Sequence, residues 1–407
     1  MTSKLGGIPL VKEKSSSPCG AAFTLVSPAS VDVLLSLASA EVELRQGQKD
    51  VVVRFSGAKN ASEAFTKGHV LVQQGLDLAS ILGHLDTVIR DAEEDHVLWW
   101  TEQAGLVARI VSTMTQGVGA SPGKLEVRDA DGNIVSPIKI EPRHHIGFRY
   151  YRLAQTTDDL YDAYRNMYLA FEALLSSRFP KKKRGENERE WLDRGLRAAS
   201  TSVSLIDLVP STEPDPTAAV LKIIYGDARL PLFHAKAGET VYAPHDSPEN
   251  REVVSNALNI LTRIVLRMAE AWFDARRMGG LVWLGWIYDI TRKFLGEARM
   301  LASDDPSPPD PAEKGLTHHR FNSALTLCMR LAPELQKGDA LAVLGCITET
   351  ELKNLSVLRR VDLVSNEQPI LMLTLDAGLT IKDLARLEVL LHVRANNLNQ
   401  PKSLFRQ

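Results

Sequence analysis

The amino-acid sequence predicts an α+β multidomain protein: a β-rich N-terminal domain over 1–147, a central four-helix bundle over 148–302, and a small C-terminal α/β extension over 315–407. Three observations predict it. At 407 residues the chain is long for one hydrophobic core and asks for two or three domains of ~100 to 200 residues each. After Arg143 the apolar period changes from about 2 to about 3.6 residues, the change from strand to helix. The segment Asp304 to Lys314, DDPSPPDPAEK, holds four Pro and four acidic residues. It is too stiff and too polar to pack, and it reads as a linker over 303–314.

In the front third, AAFTLVSP, VVVRFSG (Val51 to Gly57) and HVLWW (His96 to Trp100) carry the β-branched and aromatic enrichment of strands. LVARIVSTMT follows HVLWW after TEQAG, so a hairpin is expected there. A second hairpin is expected in KLEVRDADGNIVSPIKI, where Asp131-Gly132 sits between two alternating runs. One helix, Ala61 to Leu82, separates the strand-rich stretches. This domain displays no catalytic pattern and reads as a sensor or regulator.

Leu160, Tyr164, Met167, Tyr168, Phe171, Leu174 and Leu175 form one face of a long amphipathic helix that Pro180 ends. EREWLDRGLRAAS gives a second helix, and a loop with Pro210, Pro214 and Pro216 leads to a third near Thr217. Asp246-Ser247-Pro248-Glu249 is a helix start, with an oxygen-bearing cap and Pro at the first helical position. The fourth helix lines up Val254, Ala257, Leu258, Leu261, Val265 and Met268. In the rear, RFNSALTLCMRLAPELQ and TIKDLARLEVLLHVRA read as helices and QPILMLTLD as a strand.

Composition excludes several classes. With 48 Lys+Arg against 50 Asp+Glu and a net charge of −2, the chain is not a globally basic nucleic-acid binder, so any such site is local. Cys19, Cys328 and Cys346 lie far apart without a C-x-x-C pair, which excludes a disulfide framework and a four-ligand zinc site. The N-terminus lacks the apolar core of a secretory signal. The most apolar stretch, Gly279 to Gly296, is broken by Asp289, Arg292 and Lys293 and falls short of the ~20 residues that span a bilayer. A cytoplasmic, reduced protein without a membrane span is expected. Gly117 to Lys124 fails the phosphate-loop count, and Asp129, Asp131 and Asn133 start a calcium loop that has Ile140 where Glu is needed. His144-His145 and His318-His319 lack metal-ligand spacing, so neither metal nor cofactor is expected.

One cluster survives: Tyr225-Gly226-Asp227-Ala228-Arg229-Leu230-Pro231-Leu232-Phe233-His234-Ala235-Lys236. On an unbroken helix Arg229 and His234 would point about 140° apart, so their convergence needs a break, which Pro231 supplies. A neutral His can take a proton from a ribose 2′-hydroxyl while Arg stabilises the phosphate as charge develops. That pairing cleaves RNA without a metal. Lys181, Lys182, Lys183 and Arg184 follow Arg178 in a basic run that, with Lys236, would hold RNA. Glu172 flanks the first helix's apolar stripe and could orient Arg229 or His234. The plainer reading makes these residues a solvated loop, a surface cation and a helix carboxylate.

A bundle whose first helix reads YRNMYLAFEALLSS and whose third ends ARLPLFHAKAG resembles the HEPN superfamily, particularly its Apea-like and MauJ-like bacterial branches. The likeness covers roughly 150–278. It implies metal-independent endoribonuclease chemistry at a site made by two protomers, in phage defence or stress response, leaving 2′,3′-cyclic phosphate and 5′-hydroxyl ends. Arg229 and His234 would take the catalytic roles by position. A homodimer, RNA and an antitoxin or regulatory partner are the implied companions. The residue after the Arg is commonly polar in active members, whereas here it is Leu230 followed by Pro231.

Two readings follow. The first is a HEPN-type ribonuclease with Arg229 and His234 at a homodimer interface. The alternative is a non-catalytic HEPN module for dimerisation or for nucleotide or RNA binding, an accessory protein of MauJ type. A third places the apolar segment around Trp283 to Trp286 against a partner in a structural role.

Overall fold

Strands from both ends of the chain join one sheet. The computed structural model describes residues 2–12, 17–118, 141–181, 185–233, 240–244, 247–277, 284–307, 325–338, 340–365, 368–397, 400–403 and 405. It divides into a strand-rich unit, 1–117 with 283–396, and a helical unit, 118–282 with 397–407.

The strand-rich unit is built from β1 (Lys4–Leu5), β2 (Ile8–Pro9), β3 (Cys19–Thr24), β4 (Val33–Leu37), β5 (Ala40–Leu44), β6 (Asp50–Phe55), β7 (His96–Glu102) and β8 (Gly105–Val118). After the helical unit come β9 (Arg299–Ser303), β10 (Leu325–Leu331), β11 (Leu341–Thr348), β12 (Val357–Ser365), β13 (Gln368–Thr380) and β14 (Leu384–Asn397). They form a 14-stranded sheet in the order β2-β1-β13-β12-β9-β10-β11-β14-β8-β7-β3-β6-β5-β4. The expected β7–β8 hairpin is present, with Glu102 opposite Gly105. Helix α1 (Ala61–Ile81) starts at Asn60, whose side chain accepts from the Glu63 N–H at 2.9 Å. It presents glycines where it meets the sheet: a side chain at Gly68 or Gly75 would run into Ala21 or Val42.

The C-terminal α/β extension is corrected by this sheet. RFNSALTLCMRLAPELQ is not a helix: its described part is β10 and a short turn of 3₁₀-helix, Pro333–Leu335. TIKDLARLEVLLHVRA is likewise not a helix but leads into β14, which lies between β11 and β8. Leu387, Val389 and Leu391 face one apolar cluster, whereas Leu390 packs with Val111, Ala342 and Leu344 in another. A strand covered on both faces loses its period-2 pattern, and the resulting apolar run imitates a helix. The Asp131-Gly132 hairpin and most of the 303–314 linker lie outside the described residues. The apolar stretch after Gly279 becomes α8 (Leu284–Glu297), and no helix among the described residues is long and apolar enough to cross a membrane.

The helical unit contains α2 (Gly147–Thr156), α3 (Leu160–Arg178), α4 (Glu188–Ala199), α5 (Pro216–Leu221), a π-helix (Lys222–Arg229), α6 (Leu230–Phe233) and α7 (Pro248–Phe273). It is not the expected four-helix bundle. An additional helix, α2, packs on α3, and the third helix is one α-turn segment, a π-helix and a final α-turn in succession. Helix α3 packs against both α2 and α7 and buries its whole apolar stripe from Leu160 to Leu175. Ser247 caps α7 by accepting from the Asn250 N–H. Pro231 does not break the chain's helical course. The π register runs up to it, with the Leu230 N–H bonded to the Tyr225 carbonyl, and α6 continues through Pro231 to Phe233.

Candidate functional site

Tyr164, Tyr168 and Glu172 descend one face of α3, each a turn apart. Tyr164 donates its hydroxyl to the Ile224 carbonyl inside the π-helix, satisfying a group that the change of hydrogen-bond register exposes. Tyr168 donates to Glu188 Oε1 at 3.3 Å. Glu188 is the first residue of α4, behind the Asn187 cap that accepts from the Glu190 N–H at 2.9 Å. Its carboxylate therefore stands at the positive end of a helix.

Arg229 ends the π-helix and closes the cluster. Its Nη2 lies 2.9 Å from Glu188 Oε2, and the two side chains are only 20% and 24% exposed. Three rings surround the guanidinium, with centroids at 5.3 Å (Tyr225), 5.4 Å (Phe233) and 5.9 Å (Tyr168). Arg229 Nε is buried and makes no hydrogen bond among the described residues. Burial pushes the Glu172 carboxyl up to about 7, reinforced by the Glu188 carboxylate and opposed by Arg229. Burial also raises both tyrosine hydroxyls far above their usual range, so they remain protonated donors. Chemically, the cluster offers a fixed cation, the Glu188 side chain paired with it, and in Glu172 one carboxyl that can exchange a proton near neutral pH.

The sequence-predicted residues fall as follows. Arg229 and Glu172 are in one cluster, but the ion pair of Arg229 goes to Glu188. His234 and Lys236 lie outside the described residues, as do Lys182, Lys183 and Arg184. Lys181 Nζ stands 5.5 Å over the Trp191 ring, and Arg178 lies 6.0 Å over Trp272. Trp191 is held in place by donating to the Phe179 carbonyl at 2.7 Å. The start of the basic run is thus laid over indole faces. Glu188 escaped the sequence reading; its one signal is an Asn-Glu pair opening an amphipathic helix, which by itself reads as a cap. His145 accepts from the Gly147 N–H at 3.1 Å and lies tilted against Phe273 with ring centroids 4.8 Å apart, a helix-entry role. Among the described residues no group of three His, Cys, Asp or Glu could hold a metal ion.

The family model described as methylamine utilization protein MauJ matches residues 148–270. That span runs from the start of α2 to the last turn of α7 and includes every residue of the Arg229 cluster. No curated protein and no solved structure matches the chain.

Proposed function

We propose that the chain is an accessory protein whose helical unit is a non-catalytic module for RNA binding and self-association. The observation that carries this reading is the state of Arg229. Its guanidinium is paired with Glu188, enclosed by three rings and largely withdrawn from water. An Arg that must meet a scissile phosphate needs its fork free. The MauJ match over the same residues supports an accessory role, of the kind its name places in methylamine utilization. The HEPN resemblance supports a homodimer. The 178–184 run and Lys236 would supply the contacts to RNA, and the N-terminal region would regulate them in the cytoplasm, with an antitoxin-like protein as a further partner.

A second reading, the metal-independent ribonuclease with Arg229 and His234 as catalytic pair, is favoured by one observation. Glu172, with its proton affinity near neutrality beside Arg229, is suited to assist proton transfer. The test is incubation of total cellular RNA, with chelator, with the wild type and His234→Ala, together with gel shift and solution mass. Shifted, uncut RNA and a dimer mass are the expected result. Cyclic-phosphate products from the wild type that vanish in His234→Ala would overturn the accessory reading in favour of the nuclease. A strict monomer that neither shifts nor cuts RNA would overturn both.

A further inference from the structure

Away from the Arg229 cluster, the end of α7 and the start of α2 line an open-sided cavity of about 630 Å³, with Phe148, Tyr151, Val265, Leu266, Asp274 and Arg277 on its walls. That volume is within the ~300–1,000 Å³ of small-molecule sites. The body of the cavity is apolar, and its polar groups gather at one end, where Asp274 in the left-handed region (φ 56°) stops α7. The Ala275 N–H returns to the Ala269 carbonyl at 3.1 Å, so the chain turns and carries Arg276 and Arg277 past the helix end.

The charges there are unequal. Asp274 lies 3.5 Å from Arg143, with both side chains largely in water, so this contact is weak. Arg276 meets Glu270 at 3.4 Å with both side chains in water, a contact of little strength. Arg277 meets no carboxylate among the described residues: its Nη1 donates to the neutral Tyr151 hydroxyl at 2.7 Å. Burial keeps that hydroxyl protonated, so Tyr151 retains a hydrogen to donate while accepting from Arg277. A guanidinium and a phenol side by side at the end of an apolar cavity form a two-point grip for a carboxylate.

We propose that this cavity binds a small amphiphilic carboxylate, its apolar chain against Phe148, Val265 and Leu266 and its carboxylate between Arg277 and Tyr151. The site does not depend on the Arg229 cluster or on either reading of it.

The test is calorimetric titration of the full-length protein with decanoate, decanol and decylammonium. Decanoate is expected to bind saturably at one site and decylammonium at least about tenfold more weakly, because one charge-assisted contact is worth that much. Arg277→Gln should weaken decanoate about tenfold and leave decanol unchanged. Leu266→Trp, which fills the cavity, should abolish both. The three-ligand comparison on the wild type stands if a variant fails to fold. No saturable binding of decanoate, equal binding of decylammonium, or an unchanged decanoate affinity in folded Arg277→Gln would overturn the proposal.

Discussion

Arg229 Nη2 lies 2.9 Å from Glu188 Oε2, so the cation that ends the π-helix is neutralised by the first residue of α4. This pair ties the third helix to the second and gives the π-turn a partner for the side chain it presents. Glu188→Gln leaves Arg229 charged, largely withdrawn from water and without its carboxylate. A loss of about 1–2 kcal/mol is expected, below the cost of breaking a fully buried pair because both side chains keep some water. Thermal denaturation would show it, and an unchanged midpoint would refute the pair's structural role.

Glu172 gives a pH dependence with a definite sign. Its folded-state carboxyl titrates at about 7 against an ordinary value of 4.5, with burial the main cause. Between those values the native state binds the extra proton, so this group's contribution is full below pH 4.5 and is lost as pH rises through 7. Glu172→Gln should stabilise the protein at pH 8 by about 1 kcal/mol, reduced by the group's partial exposure, and change little at pH 5. Chemical denaturation at the two pH values measures it.

His96 and His392 act in the opposite direction in the strand-rich unit. Burial holds both imidazoles below their usual range, and the Lys337 charge adds to this at each. Here the unfolded state binds protons more readily. Stability is therefore present above the ordinary histidine value and is lost as pH falls below it, with a slope of up to about 1.4 kcal/mol per pH unit for each group. His96→Phe should flatten the acid limb of a stability-against-pH curve. An unaltered limb would remove His96 from the account.

Arg360 and Asp362 stand 2.8 Å apart on one face of β12, both completely buried. Asp362→Ala removes the carboxylate paired with a fully buried guanidinium and is expected to cost about 3–5 kcal/mol. Replacing the pair together by Met and Leu should cost much less, and a double-mutant cycle reads the difference.

Gly20 on β3 leaves room for the Trp99 indole and the Val53 carbonyl, both of which a methyl group would overlap. Gly20→Ala should destabilise the sheet by about 3 kcal/mol or more. Gly185→Ala meets nothing nearby among the described residues and serves as the control, expected within about 0.5 kcal/mol of wild type.

By itself the sequence determined the elements whose reasons are local. The apolar spacing of α3 and α7, the Ser247 cap and the β7–β8 hairpin all rest on residues within one or two turns of each other. It also singled out Arg229, by its spacing to His234, and Glu172, because charge beside an apolar stripe is visible in a string of letters. Tertiary structure decided the rest. Pairing between residues far apart in the chain places β14 between β11 and β8 and buries both of its faces, which erases the alternation that marks a strand. The π-turn at Lys222–Arg229 likewise has no local signature. It exists where Tyr164 takes the Ile224 carbonyl and Glu188 takes Arg229, and both partners come from other helices. Local spacing fixes which residues share a face, whereas burial and ion pairing depend on what the fold brings opposite that face.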